Sequence, residues 1–247
     1  MKPGLLAGVL LVAGAMTIPV TGFAAGSRTG IYVAPKLVYG LAHMRSVSFA
    51  GNENSGSGWT AYESSLGSRY DSTFGGAVAV GYDLYEKSKT PLRAELEYAV
   101  FSKAKTEKRF YCPADCYEDA GQSHQVQTLF LNAYYDFRSG SAFTPYIGAG
   151  LGAGFVRTKG TYGSNEYGPY AGTATDSKTV TNLVWNLGVG FGYRVSERVT
   201  IDAGYRFVSL GRVNTKWKEW ELVEGGWEMK TKNLYQHQIG VGMRFGF

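Results

Sequence analysis

Few side chains here have types suited to catalysis: three histidines, His43, His124 and His237, and two cysteines, Cys112 and Cys116. Hydrolysis requires a nucleophile, a base and a group that orients the base, all within hydrogen-bond reach. Ser209 and His237 become neighbours if the last two alternating segments pair, yet no carboxylate falls beside them. The residues specify no enzyme, and His237 reads as a surface residue. Cys112 and Cys116 share one short polar segment, where an intra-loop disulfide suits an exported chain. Two thiols without a further pair of ligands make a poor zinc site, so neither metal nor cofactor is expected. The remaining chemistry is ionic. Lys36, Asp83, Arg93, Glu95, Glu97, Asp136, Arg194, Asp202, Arg206 and Arg244 all fall on the non-apolar parity of alternating segments, five acidic against five basic. Such residues pair inside a cavity that offers little water, or line a narrow pore that selects ions or small solutes.

The elements that must position them alternate with period two, so one face of each is apolar and the other polar or empty. In the last segment Tyr235, His237, Ile239, Val241, Met243, Phe245 and Phe247 share one parity, against Leu234, Gln236, Gln238, Gly240, Gly242, Arg244 and Gly246. Eight such segments are legible: 30–44, 74–85, 92–105, 125–137, 145–159, 180–195, 199–217 and 230–247. Long polar connections (46–72, 106–124, 160–178, 218–229) alternate with short ones (86–91, 138–144, 196–198). An even strand number with alternating connection lengths predicts an all-β, eight-stranded, antiparallel up-and-down transmembrane barrel, with tight turns and both termini on the periplasmic side.

Export is written at the amino terminus. Lys2, an apolar run from Leu5 to Met16, Pro19 and the small residues Gly22 and Ala24 predict a signal peptide over 1–24 with the barrel domain over 25–247. The run is too short for a membrane-spanning helix, and no cysteine follows it to carry a lipid anchor. The net charge of +5 is too mild to imply nucleic acid binding. A slightly negative mean hydropathy is no objection, because only alternate residues of a barrel wall meet lipid.

A soluble barrel turns its apolar face inward and its exterior carries lysine, glutamate and threonine. Here the other parity is dominated by glycine, as at Gly148, Gly150, Gly152 and Gly154. Arg206 lies near mid-strand, where facing lipid would cost roughly 2–4 kcal/mol, which fixes its register inward. Aromatic residues near segment ends, Tyr39, Tyr82, Tyr135, Trp185, Tyr193, Phe245 and Phe247, match interfacial girdles. An eight-stranded barrel is wide enough only for side chains, so the interior is expected to be filled.

The strand motifs 30–36 (GIYVAPK), 92–98 (LRAELEY), 145–152 (PYIGAGLG) and 201–207 (IDAGYRF), with the terminal Phe247, resemble the small eight-stranded outer-membrane barrels of Gram-negative bacteria. That group includes opacity-type surface proteins, OmpX/Ail-like proteins and the OmpA membrane domain. The resemblance spans the whole mature chain. It implies that Tyr235, Ile239, Val241, Met243, Phe245 and Phe247 form the sorting signal read by the barrel-assembly machinery. Some small outer-membrane barrels are lipid A-modifying hydrolases, but the His-x-Ser pattern of a deacylase is absent.

With the interior filled, function falls to the loops. Trp59, Tyr62 and Tyr70 in the first and Trp220 in the fourth are candidate anchors, with Lys108, Arg109 and Lys218 as basic partners. Trp217 and Trp227 read as outer girdle. Lys103, Lys105, Arg157, Lys159, Lys178, Lys216, Lys230 and Lys232 gather near the outward strand ends, either as a cationic collar at the level of lipopolysaccharide phosphates or, with Glu107, Glu219, Glu221 and Glu228 interleaved, as an ordinary solvated rim. The expected role is adhesion, surface interaction or envelope integrity by a monomer embedded in outer-membrane lipid and lipopolysaccharide, with a host-surface or envelope ligand bound through the loops. The alternative is a narrow porin-like channel.

Overall fold

The computed structural model describes the backbone of residues 29–54, 59–112, 116–164, 172–217 and 227–247, and the side chains of 29–45, 67–68, 70–105, 123–160, 177–213 and 233–247. The expected signal peptide, Lys218 and Trp220 lie outside the described residues.

Nine strand segments form one antiparallel ring: β1 (Ile31–Asn54), β2 (Trp59–Asp83), β3 (Leu92–Phe101), β4 (Ala104–Cys112), β5 (Cys116–Asp136), β6 (Phe143–Ser164), β7 (Gly172–Arg194), β8 (Val199–Trp217) and β9 (Trp227–Gly246). β3 and β4 occupy a single place in the wall, both pairing with β5, so eight strands surround the axis. The third segment, expected to run unbroken over 92–105, is interrupted at Ser102 and Lys103. There the Ser102 N–H donates to the Phe74 carbonyl (2.6 Å), and the Phe74 N–H donates to Ser102 Oγ (3.0 Å). β1 and β9 close the ring, and the Phe247 N–H donates to the Ile31 carbonyl (3.0 Å). One helical turn, α1 (Tyr85–Ser88), fills the connection after β2 and stops at Lys89, whose φ of 55° is left-handed.

Burial follows the pleat. On β3, Arg93, Glu95, Glu97, Ala99 and Phe101 are buried while Leu92, Leu96 and Tyr98 face out. Leu183 is 82% exposed and Arg93 only 2%, so the wall is inverted relative to a water-soluble barrel. Aromatic pairs border the apolar band: Tyr135 with Phe137 and Phe143 with Phe191 at the end bearing the short turns, and Tyr39 with Phe74 and Trp185 with Phe207 toward the other.

The long connections are mostly not loops. β1 and β2 have 24 and 25 residues, whereas a tilted strand crosses a membrane in roughly 9–11. Their ladder continues to Asn54 opposite Trp59, through the stretch expected as a loop over 46–72, and β5–β6 likewise reaches Glu118 opposite Ser164. Beyond the band, however, the ring divides. Pairing of β2 with β3 ends at Gly75 and Phe101, and pairing of β7 with β8 ends at Trp185 and Ser209. Among the described residues no ladder joins β2 to β4, or β7 to β8, above those levels. The crown is therefore two four-stranded sheets, β8-β9-β1-β2 and β4-β5-β6-β7.

Side chains finish the wall where each seam begins. The Lys105 N–H donates to Asp71 Oδ2 (2.8 Å) at one. At the other, Asn182 Nδ2 donates to the carbonyls of Leu210 and Arg212 (2.8 Å each). Gly211, with a φ of 80°, supplies the bulge that turns those carbonyls toward Asn182.

Candidate functional site

The interior has two layers. Nearer the short turns, acids and bases alternate along one connected chain. Asp83 accepts from Arg138 (2.6 Å), which also reaches Asp136 (2.9 Å); Asp136 accepts from Arg93 Nε (2.9 Å). Arg93 contacts Glu95 (3.3 Å), Lys36 Nζ joins Glu95 (2.6 Å) to Glu97 (2.7 Å), and Arg206 donates to Glu97 (2.5 Å). Arg244 and Asp202 form a separate pair at 2.6 Å. Rings complete the desolvation: the Arg93 guanidinium lies 4.6 Å from the Tyr134 ring centroid and 5.0 Å from that of Tyr146.

Arg206 Nε also donates to Gln238, Gln238 Nε2 to Gln236 (2.8 Å), Gln236 Nε2 to Thr73 Oγ1 (2.8 Å), and Thr73 Oγ1 to the Gly40 carbonyl (3.2 Å). This polar spine climbs one side of the barrel. Much of the rest of the upper interior is apolar, built from Phe101, Phe130, Val156, Val184, Val208 and Leu210, each no more than 1% exposed, with Thr128 and the His124–Thr158 contact (2.9 Å) buried beside them. A cavity of about 70 Å³ remains at the charged level, bordered by Lys36, Glu97, Tyr146, Asp202, Arg206 and Gln238. That is room for a few waters.

Glycine makes the dense fit possible. A Cβ at Gly148 would lie 2.3 Å from the Tyr134 ring, and one at Gly190 would lie 2.5 Å from the Tyr146 hydroxyl. Arg206 lies against Gly188, and Tyr146 against Gly190.

Nine of the ten ionisable residues read as inward take part in these pairs. Arg194 does not. It is the last residue of β7, exposed at the rim, with its guanidinium 3.4 Å from the Ser141 carbonyl. Parity loses its force there, because the strand has ended and the side chain reaches water. Arg138 takes its place. It lies in a turn, just past β5, and folds back under the wall over the Tyr85 ring (4.4 Å).

Ser209 and His237 do not form a catalytic pair. Ser209 stands opposite Tyr235, and His237 opposite Phe207, while His237 Nδ1 is 2.7 Å from the Tyr205 hydroxyl on its other side. Tyr70 is exposed and stacks on His43, with ring centroids 4.2 Å apart. Trp59, Tyr62, Lys108 and Arg109 belong to the crown ladders, in β2 and β4, and their side chains lie outside the described ones. Cys112 and Cys116 face each other across the last rung of β4–β5; their thiols too lie outside the described side chains. Tyr235, Ile239, Val241, Met243 and Phe245 stand on β9, Ile239 and Val241 well exposed on its outer face, and Phe247 ends the chain.

An inverted eight-stranded wall with an ion-paired interior defines an integral outer-membrane barrel. Residues 9–247 match the model of the outer membrane protein beta-barrel domain, and the chain belongs to that family. Outer membrane protein PagN of Salmonella typhimurium is 29% identical over 198 residues, covering 77% of this chain and 78% of that one. A putative adhesin of Rickettsia bellii is 26% identical, covering 71% and 75%. Opacity protein opA68 of Neisseria gonorrhoeae is 36% identical over 44% of this chain, which spans about half (54%) of its length. The chain is thus a protein of the Gram-negative outer membrane.

Proposed function

We propose that this protein is a non-catalytic adhesive scaffold, oriented with its short turns in the periplasm and its split crown outside. The observation that supports this reading is the apolar layer around Phe101, Phe130, Val184 and Leu210, which disfavours an aqueous route through the barrel and moves function to the crown. Two sheets whose edge strands β2, β4, β7 and β8 have no ladder partner across the seams among the described residues offer a partner both side chains and main-chain donors and acceptors. The thiols of Cys112 and Cys116, on directly opposed residues, would lock the β4–β5 tip as a disulfide. Relatives named as adhesins and opacity proteins support a role in contact with other surfaces. The ligand is a host-surface or envelope component.

The rival reading, a narrow channel, requires water to cross the apolar layer. Planar-bilayer recording of the purified protein should give no steady current. Replacing 48–65 by an Asn-Gly turn should abolish attachment of expressing cells to a surface that the full chain binds, without changing surface abundance. Steady ohmic current, with attachment unaltered by the shortened crown, would reverse the choice.

A further inference from the structure

On the outer face of β1, β9 and β8 the ladder sets side chains in tiers. Arg45 of β1 stands opposite Asn233 of β9. On β8, Gly211 is opposite Leu234 and Val213 opposite Thr231, so Arg212 lies beside Asn233 on its other flank. The bulge at Gly211 is what turns it outward: Leu210 and Val213 are buried on either side, while Arg212 and Arg45 are both exposed. One tier lower stand His43, Tyr235 and Ser209, and beneath them Leu41, His237 and Phe207. Ring contacts knit these tiers together. His43 stacks on Tyr70, Phe207 meets Tyr235 at 5.4 Å, and Tyr205 holds His237 by its hydroxyl. Lower still are exposed aliphatics, Leu37, Ile239 and Val241.

We propose that this three-strand face binds a phosphorylated lipid of the outer leaflet, with Arg45, Asn233 and Arg212 on the phosphate, the His43–Tyr235–His237 tiers on the headgroup body and the aliphatic tiers along the acyl chains. Charge complementarity argues for that occupant. Guanidinium groups bind phosphate through paired, charge-assisted hydrogen bonds, and Asn233 lies between the two. The described carboxylate nearest this row, Asp71 on β2, is already engaged by the N–H groups of Ser72 and Lys105 (2.8 Å each). An outward arginine costs roughly 2–4 kcal/mol at the bilayer midplane but about 0–1 at its boundary, and these two sit just above the girdle. Aromatic and imidazole rings below them match the amphipathic zone between headgroup and chain. Neither arginine belongs to the basic set read from the sequence near the strand ends. The site deepens the expected association with lipopolysaccharide and rests on the crown facing outward.

The test uses the full protein in nanodiscs, with retained lipid counted by native mass spectrometry against diphosphorylated lipid A, dephosphorylated lipid A and inorganic phosphate. The wild type should retain the phosphorylated form about thirtyfold more strongly, the value of two basic residues at an anionic lipid surface. R45Q with R212Q should erase most of that preference, and R45K with R212K should restore much of it. K87Q with K89Q, exposed cations at the short-turn end of the barrel, should leave it intact. Retention by the R45Q/R212Q protein equal to wild type, or equal loss in K87Q/K89Q, overturns the site, and displacement by millimolar phosphate reassigns it to soluble anions. Trypsin on intact cells reads orientation separately: crown cleavage with no lipid preference sinks the site alone, and protection of the crown removes the orientation on which it rests.

Discussion

The lower and upper halves of the barrel interior solve one packing problem by opposite means. Near the turns, Asp83, Arg138, Asp136, Arg93, Glu95, Lys36, Glu97 and Arg206 are held in alternating sign. Near the crown, Phe101, Phe130, Val184, Val208 and Leu210 fill the same width without charge. The ionic half is specific but brittle, since any lost partner leaves a buried charge, whereas the apolar half loses only volume and contact when trimmed. The charges hold register; the aliphatic layer supplies bulk and contact.

Substitutions can break that contrast. Glu97→Leu should be the most damaging, about 3–5 kcal/mol in urea unfolding followed by heat-modifiable gel mobility, because Arg206 keeps only Gln238 as a hydrogen-bond partner. Phe130→Ala should cost about 3 kcal/mol in the same assay and leave the ion pairs in place. Arg244 and Asp202 sharpen the comparison, since they stand apart from the main chain of charges. Either Asp202→Leu or Arg244→Met alone should cost about 3 kcal/mol, while the double substitution should return to within about 1 kcal/mol of the wild type. A double variant as unstable as the sum of the singles would mean that the pair is coupled to the rest. Smallest of all, the Asn-Gly replacement of 48–65 should shift the unfolding midpoint by an equivalent of about 0.5 kcal/mol or less, since the closed ring ends below it. A large shift would make crown and barrel one cooperative unit.

The membrane-embedded wall was legible because lipid on one side and packing on the other enforce strict alternation. Arg206, Glu97 and Trp185 could be assigned by parity alone. The crown was not, because glycine, serine and asparagine at 46–72 carry no period-two signal. Strand ends defeated parity in both directions, admitting Arg194 wrongly and hiding Arg138. The apolar layer was within reach: Val184, Val208 and Leu210 share parity with Asn186 and Arg206.

One detail of the polar spine reaches beyond stability. From Arg206 through Gln238, Gln236 and Thr73 to the Gly40 carbonyl, every donor points the same way. A guanidinium at one end thus fixes the orientation of two amides in sequence, each polarising the next. Both glutamines are set in a single sense, like compass needles beside a magnet. Taking away the cation would free them to rotate, even though no ladder bond had been touched.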